Sequence, residues 1–313
     1  TPECDALRSA IESSACNESV QSLIDVREVF ESDKEGTVKT GDNNNLDQAY
    51  TCVKIKMNTD NYLGSLSQDS YKMIPLSAEG DFNTVQIDWF SAENATSNTI
   101  NLRSDENIPL VSPWNQNTPP VMRTQFIQFA KAGFSLSQLD GSISSANNNT
   151  GANTLFLYPS KSGSNEKSLS LDGRGELSNT ASASLALPQL IKCGDIGSGA
   201  LYACSVRITL PLVIKSADQA TFMTLSAFYN SADYKITLLN VVDGVSTVVR
   251  FNGVQPEVDA TGRANDLFRR VKTRVEMVDP NYPYPEAAVD ITGSLCKDFS
   301  VTDTIYNPEP IES

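Results

Sequence analysis

Hydrophobic and polar positions change period along this chain. Up to about residue 35 the apolar positions follow helical spacing: Leu7, Ala10 and Ile11 form one short face, and Val20, Leu23, Ile24 and Val29 a second. Pro2 sits where a first-turn proline is tolerated. Gly36, Gly41 and the Asn43-Asn44-Asn45 run then read as a loop. From Tyr50 onward the period becomes two, which is the spacing of half-buried strands. Thr51, Val53, Ile55 and Met57 share one face of the first such segment, and Cys52, Lys54 and Lys56 the other.

The same reading predicts strands at Asn83–Trp89, Arg123–Phe129, Thr154–Tyr158, Cys204–Leu212, Thr221–Tyr229, Tyr234–Leu239, Val245–Phe251 and Leu267–Met277. The last is the most regular. Leu267, Val271, Thr273, Val275 and Met277 alternate with Arg270, Lys272, Arg274 and Glu276, broken only by Arg269, so one face is expected to be buried. A turn-rich bridge containing Pro256, Asp259, Gly262, Asn265 and Asp266 precedes it. Polar segments at Ser91–Pro120, Asp140–Asn153 and Ser160–Ser184 read as surface loops.

The expected fold is therefore mainly β (α+β): an antiparallel β-sandwich or jelly-roll-like pair of sheets preceded by a helical segment. The helical segment and its loop cover 1–48 and should pack on the sheet through Leu23, Ile24, Val26 and Phe30. A β-rich domain covers 49–313, with a possible seam between two sub-sheets near 159–185.

Composition narrows the chemistry. The 313 residues include 38 Asp and Glu against 24 Lys and Arg, a net charge of −14, and no histidine. The charge argues against nucleic acid and anionic membranes as general partners. Without histidine there is no Ser-His-Asp or Cys-His nucleophile system. Ser164–Lys167 and Ser294–Lys297 fit the S-x-x-K pattern, but Lys39-Thr40-Gly41 precedes both, the reverse of the order in penicillin-binding enzymes. Chance matches are the better reading in so serine-rich a chain. Carboxylate pairs for hydrolysis stay open, since sequence spacing does not fix their separation in space.

The six cysteines, Cys4, Cys16, Cys52, Cys193, Cys204 and Cys296, include no C-x-x-C, so a metal site is not expected and disulfides are. Close spacing favours Cys4 with Cys16 and Cys193 with Cys204, leaving Cys52 with Cys296, among fifteen formal pairings. The Gly194–Gly199 run lacks the Lys-Ser/Thr of a phosphate loop and reads as a loop clasped by Cys193 and Cys204. Trp89 falls on an apolar strand face and is assigned to the core. Trp114, Tyr282 and Tyr284 are the aromatic candidates for ligand contact.

Arg263, Arg269, Arg270, Lys272 and Arg274 crowd into twelve residues of an acidic chain. Arg263, Arg270, Lys272 and Arg274 are candidates for an assembly or docking surface. The plainer reading is that they pair with acids on neighbouring strands. The run Val254–Val275, with YTCVKI at Tyr50–Ile55, QIDWF at Gln86–Phe90, TLFLYP at Thr154–Pro159 and DITGSLCKDFSV at Asp290–Val301, resembles type IV pilin-like proteins. That resemblance implies a minor or tip subunit of a bacterial surface filament, extracellular, without cofactor, contacting other pilin subunits and a host-cell or glycan ligand. It also implies a hydrophobic membrane helix ahead of Thr1. A carbohydrate-binding sandwich module and a carboxylate-dependent hydrolase are the alternatives.

Overall fold

The structure is a computed structural model. It describes residues 48–102, 114–131, 142–144, 149–169, 188–197, 199–264 and 267–277. The expected N-terminal helix, Cys4, Cys16, Cys296, Tyr282 and Tyr284 lie outside the described residues, as do Lys39-Thr40-Gly41 and Ser294–Lys297. The described residues are mainly β and contain no helix.

Strands run in the order β1 (Gln48–Lys56), β2 (Tyr62–Leu66), β3 (Tyr71–Pro75), β4 (Phe82–Ser91), β5 (Val121–Ala130), β6 (Gly151–Ser160) and β7 (Glu166–Ser168). They continue as β8 (Gln189–Lys192), β9 (Tyr202–Ile214), β10 (Gln219–Phe228), β11 (Ala232–Val242), β12 (Val245–Val249), β13 (Glu257–Ala264) and β14 (Leu267–Arg274). One five-stranded sheet has the order β3-β10-β5-β6-β8. A six-stranded sheet has the order β12-β11-β4-β9-β7, with β2 pairing the same β11 end to end with β12. The pairs β6–β8 and β7–β9 are parallel and the rest antiparallel. A third, three-stranded sheet has the order β1-β13-β14.

The two larger sheets share one core. Val85, Ile87 and Trp89 of β4, Val206 and Ile208 of β9, and Ile236 and Leu238 of β11 pack in one cluster with Met122 and Phe126 of β5, Leu155 and Leu157 of β6, and Met223 and Leu225 of β10. The alternation read from the sequence sends these side chains to one face of each sheet. Burial of each stabilises by about 1.5–3 kcal/mol relative to exposure. Trp89 is fully buried as expected, and its Nε1 donates to the Pro120 carbonyl at 3.2 Å. Phe90 follows with φ of 66°, a conformation rare for a bulky residue, and the alternation breaks there so that both rings are buried.

Short strands were harder to see in the sequence. β2 and β3 are five residues each, β7 lies inside a Ser-rich stretch that reads as loop, and β13 falls in what the sequence presents as a turn-rich bridge. β13 contains Glu257, Asp259 and Gly262, poor strand formers, and forms because β1 and β14 flank it on both edges. Gly64 of β2 lies directly opposite Tyr234 of β11, whose ring covers it; a Cβ there would meet the Tyr234 hydroxyl at 2.5 Å.

The Leu267–Met277 expectation needs correction. No face of β14 is buried where its side chains are described: Val271 is 61 % exposed, and Val275 and Met277 are exposed beyond the strand. β14 is the outer strand of a sheet none of whose described side chains belongs to the shared core. Charge pairs, described below, replace burial as its stabilising contacts.

Cys193 and Cys204 form a disulfide, the pairing favoured by spacing. Cys193 directly follows β8 of the five-stranded sheet and Cys204 lies in β9 of the six-stranded sheet, so the bond staples one sheet to the other. Closing that loop contributes about 3 kcal/mol in the chain-entropy model.

The core also holds a polar residue without a partner. Gln128 of β5 is fully buried on the same face as Met122 and Phe126, and neither amide atom has a hydrogen bond. Leaving such a group unpaired costs about 1–3 kcal/mol. Gln128→Met, which keeps volume and removes the amide, is expected to raise the urea midpoint at constant slope. A lowered midpoint would show that the amide is satisfied.

Candidate functional site

The basic cluster sits on the three-stranded sheet, where β13 supplies acids at two-residue spacing. Register places Glu257 opposite Arg274 and Asp259 opposite Lys272, so the acids and bases share one face. Arg274 reaches Glu257 at 3.1 Å and Lys272 reaches it at 2.8 Å. Arg270 forks onto Asp259, with its Nε at 2.7 Å from one carboxylate oxygen. Arg274 also donates to the Asn61 carbonyl and side chain, each at 3.2 Å. The charges of Arg270, Lys272 and Arg274 are thus engaged within the chain. The side chains of Arg263 and Cys52 are outside the described ones, although their backbones lie in β13 and β1.

The chain after β14 is tied to both larger sheets by a carboxylate, through Tyr62 of β2 and Lys72 of β3. Glu276 accepts from the Tyr62 hydroxyl and from Lys72 Nζ, the latter at 2.5 Å. Val275 N–H donates to the Pro256 carbonyl at 3.0 Å and Met277 N–H to the Val254 carbonyl at 3.1 Å, which holds the carboxylate in place. Tyr62 is buried and packs against Tyr234 at 6.2 Å and Phe251 at 6.3 Å. Burial, then the hydrogen bond to Glu276, pushes the Tyr62 phenol far up; burial does the same to Tyr234. Burial alone would raise the Glu276 carboxyl, but the Lys72 and Tyr62 hydrogen bonds and the Lys72 charge outweigh it and hold the group below the usual range.

An open recess of about 470 Å³ lies where β2, β4, β9 and β11 meet. Ser65, Ser91, Glu93, Tyr202, Asp233 and Tyr234 line it. Asp233 accepts from Ser65 and from Ser91 Oγ, the latter at 2.8 Å. The Tyr202 phenol is pushed up by burial and by Asp88, Asp233 and Glu93 around it. Lys235 Nζ stands 5.4 Å over the Tyr202 ring and 2.9 Å from Asp88. An aromatic ring flanked by carboxylates and hydroxyls can take a polyol or a cation, and sequence reasoning missed it. Its members come from segments up to 169 positions apart, counting from Ser65 to Tyr234, and no local motif announces them.

Trp114 is half-buried rather than displayed. Its ring stacks on Tyr229 at 4.7 Å and meets Tyr158 edge-on at 6.2 Å, while Nε1 donates to the Thr118 carbonyl at 3.3 Å. Among the described residues no three His, Cys, Asp or Glu side chains are grouped to hold a metal ion. No protein-family model, no curated protein and no solved structure matches this chain.

The Glu276 tie makes a prediction with a definite sign. A carboxyl held low in the folded state contributes stability above its unfolded pKa and loses it as pH falls through the folded value. Glu276→Gln should therefore destabilise at neutral pH, by less than about 1 kcal/mol for so exposed a pair. The gap in melting temperature from the parent should close as the solution is acidified below the usual carboxylate range. A gap independent of pH would show that the carboxylate charge is irrelevant to the tie.

Proposed function

We propose that this chain is a non-enzymatic structural subunit that assembles into an extracellular protein coat or filament. The observation that carries the reading is the strand order. Taking β2, β3, β4, β5, β6, β9, β10 and β11 as first to eighth, the sheets read first-eighth-third-sixth and second-seventh-fourth-fifth. Such an order supports a jelly roll of two Greek keys, the architecture of viral capsid and lectin domains and of cupins. A histidine-ligated metal centre is unavailable to a chain without histidine, which leaves coat subunit and lectin as the closest parallels. This step is an analogy at the level of fold.

The disulfide supports an oxidising compartment, and no helix among the described residues is long and apolar enough to cross a membrane. The narrower identity, a minor or tip type IV pilin, rests on the sequence resemblance. The double Greek key favours a closed coat over a pilin filament. The acidic aromatic recess at Tyr202 and Asp233 favours a second reading, a glycan-binding module.

Sedimentation and negative-stain microscopy of the purified chain, run beside a glycan array, distinguish these outcomes. Uniform assemblies without glycan signal are expected. A monomer at every concentration that binds a defined glycan through the recess, and loses it in Tyr202→Ala, would replace the structural reading with the lectin one.

A further inference from the structure

Sheet edges expose unpaired N–H and C=O groups, and stable proteins blunt them with charge, proline, brevity or a covering group. Most edges here are blunted. β3 carries Lys72 and Pro75, β7 is three residues long with Glu166 and Lys167, and β8 is four residues ending in Lys192. β1 carries Lys54 and Lys56, and β14 carries Arg269, Arg270, Lys272 and Arg274. β2 has neither charge nor proline, but the Gln255 amide covers it: Oε1 accepts from Leu63 N–H at 2.9 Å and Nε2 donates to the Leu63 carbonyl at 2.7 Å.

Among the described residues, β12 has none of these devices. Its sequence VSTVV has no charge and no proline, and Val245 and Val248 are 65 % and 53 % exposed. A two-residue turn at Asp243-Gly244, with φ of 51° and 79°, joins it to β11 as a type I′ hairpin and fixes its register. Val242↔Val245, Asn240↔Thr247 and Leu238↔Val249 face each other across the hairpin. Residues 245, 247 and 249 thus bond inward, and the N–H and C=O groups of Ser246 and Val248 point outward. The next outward carbonyl, that of Arg250, is taken by Glu79 N–H at 3.0 Å, so the free edge ends there.

We propose that β12 is a docking edge for a second copy of this chain, whose own β12 adds antiparallel about a two-fold axis at Thr247. Ser246 of each copy then opposes Val248 of the other, and each pair exchanges two backbone bonds, four in all. The charge pattern at this edge accommodates the same partner. Two bodies of net charge −14 repel, and β12 offers them an uncharged seam from Gly244 to Val249. Asp243 brackets the seam at one end and Arg250, which Glu79 of its own chain already holds at 2.6 Å, at the other, so antiparallel pairing brings each Asp243 beside the other copy's Arg250–Glu79 pair. The proposal rests on the structural-subunit reading and names one of its contacts.

The register is testable by cysteine placement. Residue 247 would face its own counterpart as a non-hydrogen-bonded pair, with Cα atoms about 4.5 Å apart, within disulfide range. Residue 245 would lie about four residues from its counterpart, roughly 14 Å along the strand and out of range. Under mild oxidation Thr247→Cys should cross-link at least about tenfold faster than Val245→Cys, with the parent chain as control. Val248→Pro removes an outward donor while sparing the bonds to β11, and should weaken self-association in sedimentation velocity by about tenfold or more. Val248→Lys serves the same purpose should the proline variant misfold. If the parent associates but these variants associate equally, or both cysteines cross-link alike, β12 is not the contact and the structural reading survives. A parent chain that stays monomeric up to about 1 mM overturns both.

Discussion

Everything described depends on the apolar contact between the two larger sheets. Each presents a face of Val, Ile, Leu, Met and aromatic side chains that the other covers, with loop residues such as Ile100, Ile143 and Phe251 completing the cluster. The strand order sharpens this. β2 and β3 are neighbours in the chain but lie in different sheets, as do β4 and β5, and β9 and β10. Apart from the β11–β12 and β13–β14 hairpins, the short connections between described strands are therefore bridges across the core rather than hairpins within a sheet. The Cys193–Cys204 bond adds a covalent link in the same direction, at the end where β8 leaves the five-stranded sheet.

Outside that core, polar pairing takes over from burial. The three-stranded sheet keeps its register through Glu257 and Asp259 facing Arg270, Lys272 and Arg274, and the chain after it is held by Glu276 on Tyr62 and Lys72. Exposed pairs of this kind contribute little each. The three-stranded sheet is thus expected to open more readily than the sandwich, in the sense that local stability follows buried apolar contact. In a cluster that looks in sequence like a bare positive patch, three of the bases are paired in space with Glu257 and Asp259.

The legible part of the fold was the part with long alternation. Asn83–Trp89 shows period two over seven residues and Tyr234–Leu239 over its first five, and each lies within a core strand, as does Arg123–Phe129. β2, with Gly64 at its centre, is a strand because Tyr234 lies across that glycine, a fact of tertiary packing. β13 reads as turns because Asp259 and Gly262 are poor strand residues, and its neighbours override them. The alternation at Leu267–Met277 was genuine, but periodicity states which side chains share a face and not whether anything covers it. The Tyr202 recess was illegible for a simpler reason: proximity of Ser65, Glu93 and Asp233 exists only after β2, β4, β9 and β11 come together.

The pairing of β2 with β11 also governs how the chain can be made. β2 ends at Leu66 and its partner begins at Ala232, so some 165 residues must be translated between them. At about 5–20 residues per second, that interval lasts roughly 10–30 s. β4 waits similarly for β9 and β11, which flank it on both sides. During that time β5 and β6 can pair with each other, but β2, β3 and β4 emerge from the ribosome with apolar faces and open ladders whose partners are still to be translated. A nascent chain of this topology needs either a chaperone at the exit tunnel or slow collapse into non-native contacts that later dissolve, and its yield in a foreign host should follow translation speed more than final stability.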